Sequence, residues 1–135
     1  MSDNPRWSVD SRANEAADCI LEAQEEFRAY GHYISTVAEL PLLLSRHGLG
    51  QTLAYLQLRG AGRETSPYDF VYQQVARRLI QLFPVSETDL LTFVTRCNSR
   101  QYLLLAEEAR LFAAALYYAA EDEADALEYD GEVEP

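Results

Sequence analysis

The side chains that could do chemistry in this chain are few and scattered. His32 and His47 are the two histidines, and neither has a carboxylate or a cysteine at the spacing of a catalytic or metal motif. A carboxylate-bridged metal bundle needs Glu-x-x-His on facing helices, and that tetrapeptide does not occur. Cys19 and Cys97 stand apart in apolar, helix-like contexts, where an inert buried thiol is the usual state. Glu25-Glu26 and Glu107-Glu108 read as solvated acidic faces of helices. No glycine-rich phosphate loop, HExxH or GxSxG is present. The expectation is a protein without catalytic residues, metal, cofactor or small-molecule substrate.

Arginine is the remaining signal. All 11 basic residues are Arg, and Lys is absent. The formal net charge is −11, which alone argues against nucleic acid, but the charge is unevenly placed. Residues 39–120 carry eight arginines against seven acids, whereas the segment from Glu121 onward carries eight acids and no base. Arg46, Arg59 and Arg63 bracket one helix and the loop after it. Arg77-Arg78 are adjacent on another helix, so at least one guanidinium should be exposed. Arg96 and Arg100 flank the entry to the last helix. Such a set suits sequence-independent contact with a sugar-phosphate backbone, since the Arg fork matches phosphate geometry. On the residues alone, pairing of each with a nearby acid is the more common outcome.

The elements that must position these arginines are all helical. The chain has 135 residues, 48% of them apolar, enough for one sizeable core. Ala13, Ile20, Phe27 and Ile34 recur every seven residues, as do Ala16, Ala23, Tyr30 and Val37, so one long N-terminal helix is expected. Gly31 should be tolerated within it. Pro41 should end it, because the residue before a proline is pushed out of helical geometry. A short helix 41–46 would follow, with Gly48 as its stop or a hinge, then a helix burying Leu49, Leu53 and Leu56. Ser66-Pro67 with Asp69 marks the next helix start, and Pro84 its stop. Ser86 through Asp89 resembles a capping box for a short helix through Leu90, Leu91 and Val94. The last helix opens near Ser99 and should bury Tyr102, Leu105, Ala109, Phe112, Ala113 and Leu116. No segment alternates with period two.

The expected architecture is therefore all-α, a compact bundle of five or six helices. It divides into an N-terminal arm (1–9), one helical domain (10–120) and an acidic, disordered tail (121–135). The N-terminus lacks an apolar signal region and no segment reaches about 18 apolar residues, so a cytoplasmic protein without a membrane partner is expected.

One stretch resembles a known family. YGHYISTVAELPLLLSRHGLGQTLAYL, Tyr30–Leu56, is similar to the signature of the small helical subunit of the type III-B CRISPR (Cmr) RNA-targeting complex. The matching positions are Tyr33, Leu40-Pro41, Leu44, Gly48-Leu49 and Gln51 through Leu56. A weaker likeness lies at Ser99–Tyr102 and Glu108-Ala109, and with the helix order the resemblance spans roughly Ala13 to Glu121. It implies a subunit without an active site that stacks, with copies of itself, along the backbone subunits. It also implies contact with the guide–target RNA duplex, in antiviral defence. The family's closing helix ends in a basic, Trp-containing patch, whereas Leu116 through Ala119 are uncharged here, and Ala106 stands where Thr is usual. The expected RNA surface therefore shifts to Arg46, Arg59, Arg63, Arg77, Arg78, Arg96 and Arg100. The rival reading is an acidic helical protein–protein adaptor without nucleic-acid contact, using the Ala/Tyr seam of the first helix and the acidic tail.

Overall fold

The computed structural model describes residues 8–26, 30–61, 66–83 and 89–133, with side chains described up to residue 123. Among the described residues there are five helices and no strand. Helix α1 spans Val9–Glu26 and is opened by Ser8, whose Oγ accepts the Ser11 N–H at 3.0 Å. Helix α2 spans Tyr30–Gly60, α3 Pro67–Leu82, α4 Leu90–Arg96 and α5 Ser99–Val133.

In contrast to the long N-terminal helix expected from the sequence, α1, at 18 residues (Val9–Glu26), is not notably long, and α2 is described from Tyr30. Phe27, one of the seam positions, lies outside the described residues. The seam does not keep its phase from one helix to the next: in α2 the buried Tyr33 and Leu40 lie one position off it, and Tyr30 and Ile34 on it are only half-buried. Of the seam positions, Ala16, Ile20 and Ala23 of α1 and Val37 of α2 are buried. Ala13, assigned to the same seam, is exposed.

Pro41 does not end a helix. Backbone helix continues through it, and the break comes at Gly48, with φ 81° and ψ 173°. An internal proline costs about 3 kcal/mol, because it lacks one N–H and its ring crowds the preceding turn. Val37, Leu40 and Leu44 are buried around it. At about 1.5–3 kcal/mol for each fully buried aliphatic side chain, their burial outweighs that cost. The backbone angles of Gly48 fall in a region essentially closed to residues with a Cβ. α2 is thus two limbs, 30–47 and 49–60, meeting at a glycine kink.

The remaining starts are set by local chemistry. Ser66 accepts the Tyr68 N–H at 3.2 Å with Pro67 in the first turn, as the sequence predicts. The described cap of α4 is Asp89, which accepts from Thr92 N at 3.2 Å; Ser86 lies outside the described residues. α5 opens with a reciprocal box. Asn98 Oδ1 accepts the Gln101 N–H at 2.8 Å, and Gln101 Oε1 accepts the Asn98 N–H at 3.2 Å. α5 then passes through Glu121, where the acidic tail was expected to begin, and continues to Val133. Ala120 is still buried, and Glu123 accepts a hydrogen bond from Gln24 of α1 at 3.2 Å.

α1 and α5 run in the same direction, with Arg12 meeting Glu108 near one end and Gln24 meeting Glu123 near the other. α3 runs against α1, its Arg78 reaching Glu15 and its Gln74 reaching the Cys19 carbonyl. Leu105, Ala109, Phe112, Ala113 and Leu116 of α5 are fully buried, as expected, while Tyr102 is half-buried.

Two polar networks cross this core. Glu108 is 2% exposed, so it is no solvated acid. It takes both Nε and one terminal nitrogen of Arg12 at 3.0 and 2.9 Å, and Nε of Arg78 at 3.0 Å. Arg78 donates further to Glu15 at 2.8 Å and lies 5.8 Å from the Phe112 ring centre. Its neighbour Glu107 is the solvated one, paired with Arg110 at 2.7 Å. In the second network the buried Tyr33 hydroxyl donates to Gln74 Oε1 at 2.6 Å, and Gln74 Nε2 donates to the Cys19 carbonyl at 3.0 Å. These pairs tie α1, α2, α3 and α5 at fixed register, because an unpaired partner would be left desolvated.

Candidate nucleic-acid interface

The Gly48 kink brings the arginine-bearing segments together. A kink restarts the helix, so the first N–H groups of limb 49–60 have no partner within it. The Tyr102 hydroxyl of α5 accepts one of them, Gly50 N–H, at 3.2 Å. A Cβ added at Gly50 would stand 3.9 Å from Val94 Cγ1 of α4, so α4 lies close beside it. Arg46 lies two residues before the kink, Arg96 two after Val94 and Arg100 two before Tyr102. All three are exposed. Arg46, Arg96 and Arg100 are thus exposed residues within two positions of contacts that join α2 to α4 and to the start of α5, and His47, next to Arg46, is exposed as well. The positive end of the α5 dipole lies at the same junction.

The other candidates lie elsewhere. Arg59 is exposed at the far end of limb 49–60. Its guanidinium carbon lies 5.7 Å from the Tyr55 ring centre and 5.1 Å from that of Tyr68, and it donates to the Tyr68 hydroxyl at 3.2 Å. That hydrogen bond, followed by the charge of the two phenols, raises its pKa. The result is a cation held between two aromatic faces. Gly60, which follows it, has no room for a Cβ: one would stand 2.9 Å from Asp69 Cβ. Arg63 lies outside the described residues.

Arg77 and Arg78 separate. Arg77 is half-exposed and pairs with Glu22 at 2.9 Å, chiefly through that hydrogen bond, which raises its pKa further. Arg78 is 1% exposed and committed to Glu15 and Glu108. A guanidinium so placed has no open face for phosphate, so Arg78 leaves the candidate surface. Adjacent helix positions point about 100° apart, and here that angle separates solvent from core.

Cys19 is buried, and burial pushes its thiol up to about 11, against the opposing pull of Arg77. Cys97 is half-buried, and both thiols are free. Among the described residues no group of His, Cys, Asp and Glu stands where a metal ion could be held. None of the described helices is long and apolar enough to cross a membrane.

The described residues form an all-helical bundle whose buried polar pairs hold the helices in register. The family model of CRISPR-associated protein Cas_Cmr5 matches residues 9–119, and the chain belongs to that family, the small subunits of the type III-B Cmr complex. The match spans α1 to the buried part of α5 and includes both sequence stretches joined by the Tyr102–Gly50 contact. Comparison with curated proteins and with solved structures gave no match.

Proposed function

We propose that this subunit is non-catalytic, stacks with copies of itself along the backbone subunits of the Cmr complex, and touches the backbone of the guide–target RNA duplex. The observation that carries the RNA reading is the corner at the Gly48 kink. Exposed Arg46, Arg96 and Arg100 each lie within two residues of the junction where α2, α4 and α5 meet, and a half-buried tyrosine hydroxyl ties α2 to α5 there. A-form duplexes are held by shape and phosphate contacts, which need fixed cations and no base-reading side chains. Arg59, steadied between Tyr55 and Tyr68, is the outlying member of the surface. The adaptor reading without RNA is weakened, since half of the seam it would use, Ala16, Ile20, Ala23 and Val37, is buried within the monomer.

The test is reconstitution of the Cmr complex with guide RNA and either this chain or its triple variant Arg46→Ala/Arg96→Ala/Arg100→Ala. Target RNA capture is then measured across a salt series. Loss of three phosphate contacts should weaken capture and flatten the salt dependence of log K by about two to three units. Unchanged affinity and slope in an intact complex would remove this corner from the RNA path.

A further inference from the structure

A groove of about 520 Å³ runs along the outer side of the α1–α5 pair. Its α1 wall is Val9, Ala13, Ala17 and Leu21, a stripe at four-residue spacing beside the buried seam. Its α5 wall includes Ala114 and Tyr118. Val9 is 74% exposed, Leu21 51% and Tyr118 65%, so large apolar side chains stand in water along one strip. Clustered exposure of this kind marks a contact surface, whereas single exposed apolar residues do not. The alanines keep the floor shallow, which lets another helix approach closely between the two walls.

The charge of the groove indicates what lies in it. Asp122 and Glu123 line one end, and α5 continues beyond them through an acidic sequence. Arg12 borders the groove as well, but its guanidinium is held by Glu108. The groove is thus apolar along its length and negative at one end. Roughly 35 Å of helix separates that end from the arginine corner at Ser99. RNA is excluded by the acids and the apolar walls. A second copy of this chain, at −11, would add further carboxylates to an already acidic end.

We propose that the α1–α5 groove docks an amphipathic helix of another protein subunit of the complex. That helix would lay its apolar stripe between Leu21 and Tyr118 and bring lysine or arginine to Asp122 and Glu123. The proposal uses membership of the complex and does not depend on RNA contact.

The test uses the full chain without RNA, titrated with each of the other purified Cmr subunits in turn and with itself. Leu21→Glu and Ala17→Glu change exposed positions, and helicity by circular dichroism confirms that each variant folds. One co-subunit should bind the parent chain and bind both variants at least about tenfold more weakly. Leu58→Glu, exposed and outside the groove, should bind normally. Asp122→Lys/Glu123→Lys should weaken binding at low salt and lose that effect at high salt. Unaltered binding of every subunit to the groove variants would overturn the proposal, as would a change confined to self-association. RNA capture by the reconstituted complex is read separately, so failure of the arginine corner and failure of the groove are distinguishable.

Discussion

The Tyr102 hydroxyl accepts the Gly50 N–H at 3.2 Å, joining the start of α5 to the restart of α2 after its kink. A Cβ added at Gly48 would lie 3.3 Å from that same hydroxyl. Kink, cap and helix packing are therefore one feature. Tyr102→Phe should destabilise the chain by about 1–2 kcal/mol, the effect of leaving a partly buried amide unpaired. Gly48→Ala should cost about 1–3 kcal/mol through its backbone angles. Urea unfolding of both single variants and the double variant checks the coupling: because the residues touch, the two effects should not add. Strict additivity would show that the contact does not support the kink.

Arg77 and Arg78 offer a sharp contrast in adjacent positions. Arg78→Ala takes the arginine from Glu15 and leaves the buried Glu108 to Arg12 alone, and should cost about 3 kcal/mol. Arg77→Ala loses a half-exposed pair with Glu22 and should cost less than about 1 kcal/mol. Denaturant midpoints of the two variants check this, and equal losses would contradict the placement of Arg78 in the core.

Asp89 links three elements and should make stability depend on acid. Burial pushes its pKa up, but hydrogen bonds from the Tyr72 hydroxyl, the Thr92 amide and hydroxyl, and Gln57 outweigh it, and the pKa falls below its ordinary value. The folded protein thus favours the carboxylate. This contribution is fully present above the unfolded pKa of about 3.9 and is lost as pH falls through the lower folded value. Asp89→Asn keeps a capping side chain without the charge. Its stability deficit should be constant near neutrality and shrink below about pH 4 in unfolding curves taken across pH.

The thiols should differ in reactivity. Cys19 is buried with its pKa pushed up to about 11, so almost no thiolate exists near neutral pH. A thiol reagent should label half-buried Cys97 first and reach Cys19 only on unfolding, as mass spectrometry of the labelled peptides would show. Fast labelling of Cys19 in the folded chain would contradict its burial.

Local chemistry was legible in the order of residues. Ser66-Pro67 opens α3 and the α5 apolar positions are buried, because caps and 3.6-residue periodicity depend on neighbours within a turn or two. The likeness of Tyr30–Leu56 to the Cmr small subunits likewise needed only the chain itself, and the family match over residues 9–119 agrees with it. What the order of residues could not decide were outcomes of long-range packing. Pro41 reads as a stop but sits inside α2, since Val37, Leu40 and Leu44 are buried around it. Glu107-Glu108 reads as one acidic face, yet Glu108 is drawn inside by Arg12 and Arg78, far away in the chain. Among the arginines, the nearness of Arg46, Arg96 and Arg100 in sequence to one helix junction and the burial of Arg78 both depended on which helices meet. An arginine's availability depends on which carboxylate lies within about 3 Å, and only the tertiary structure brings the two together.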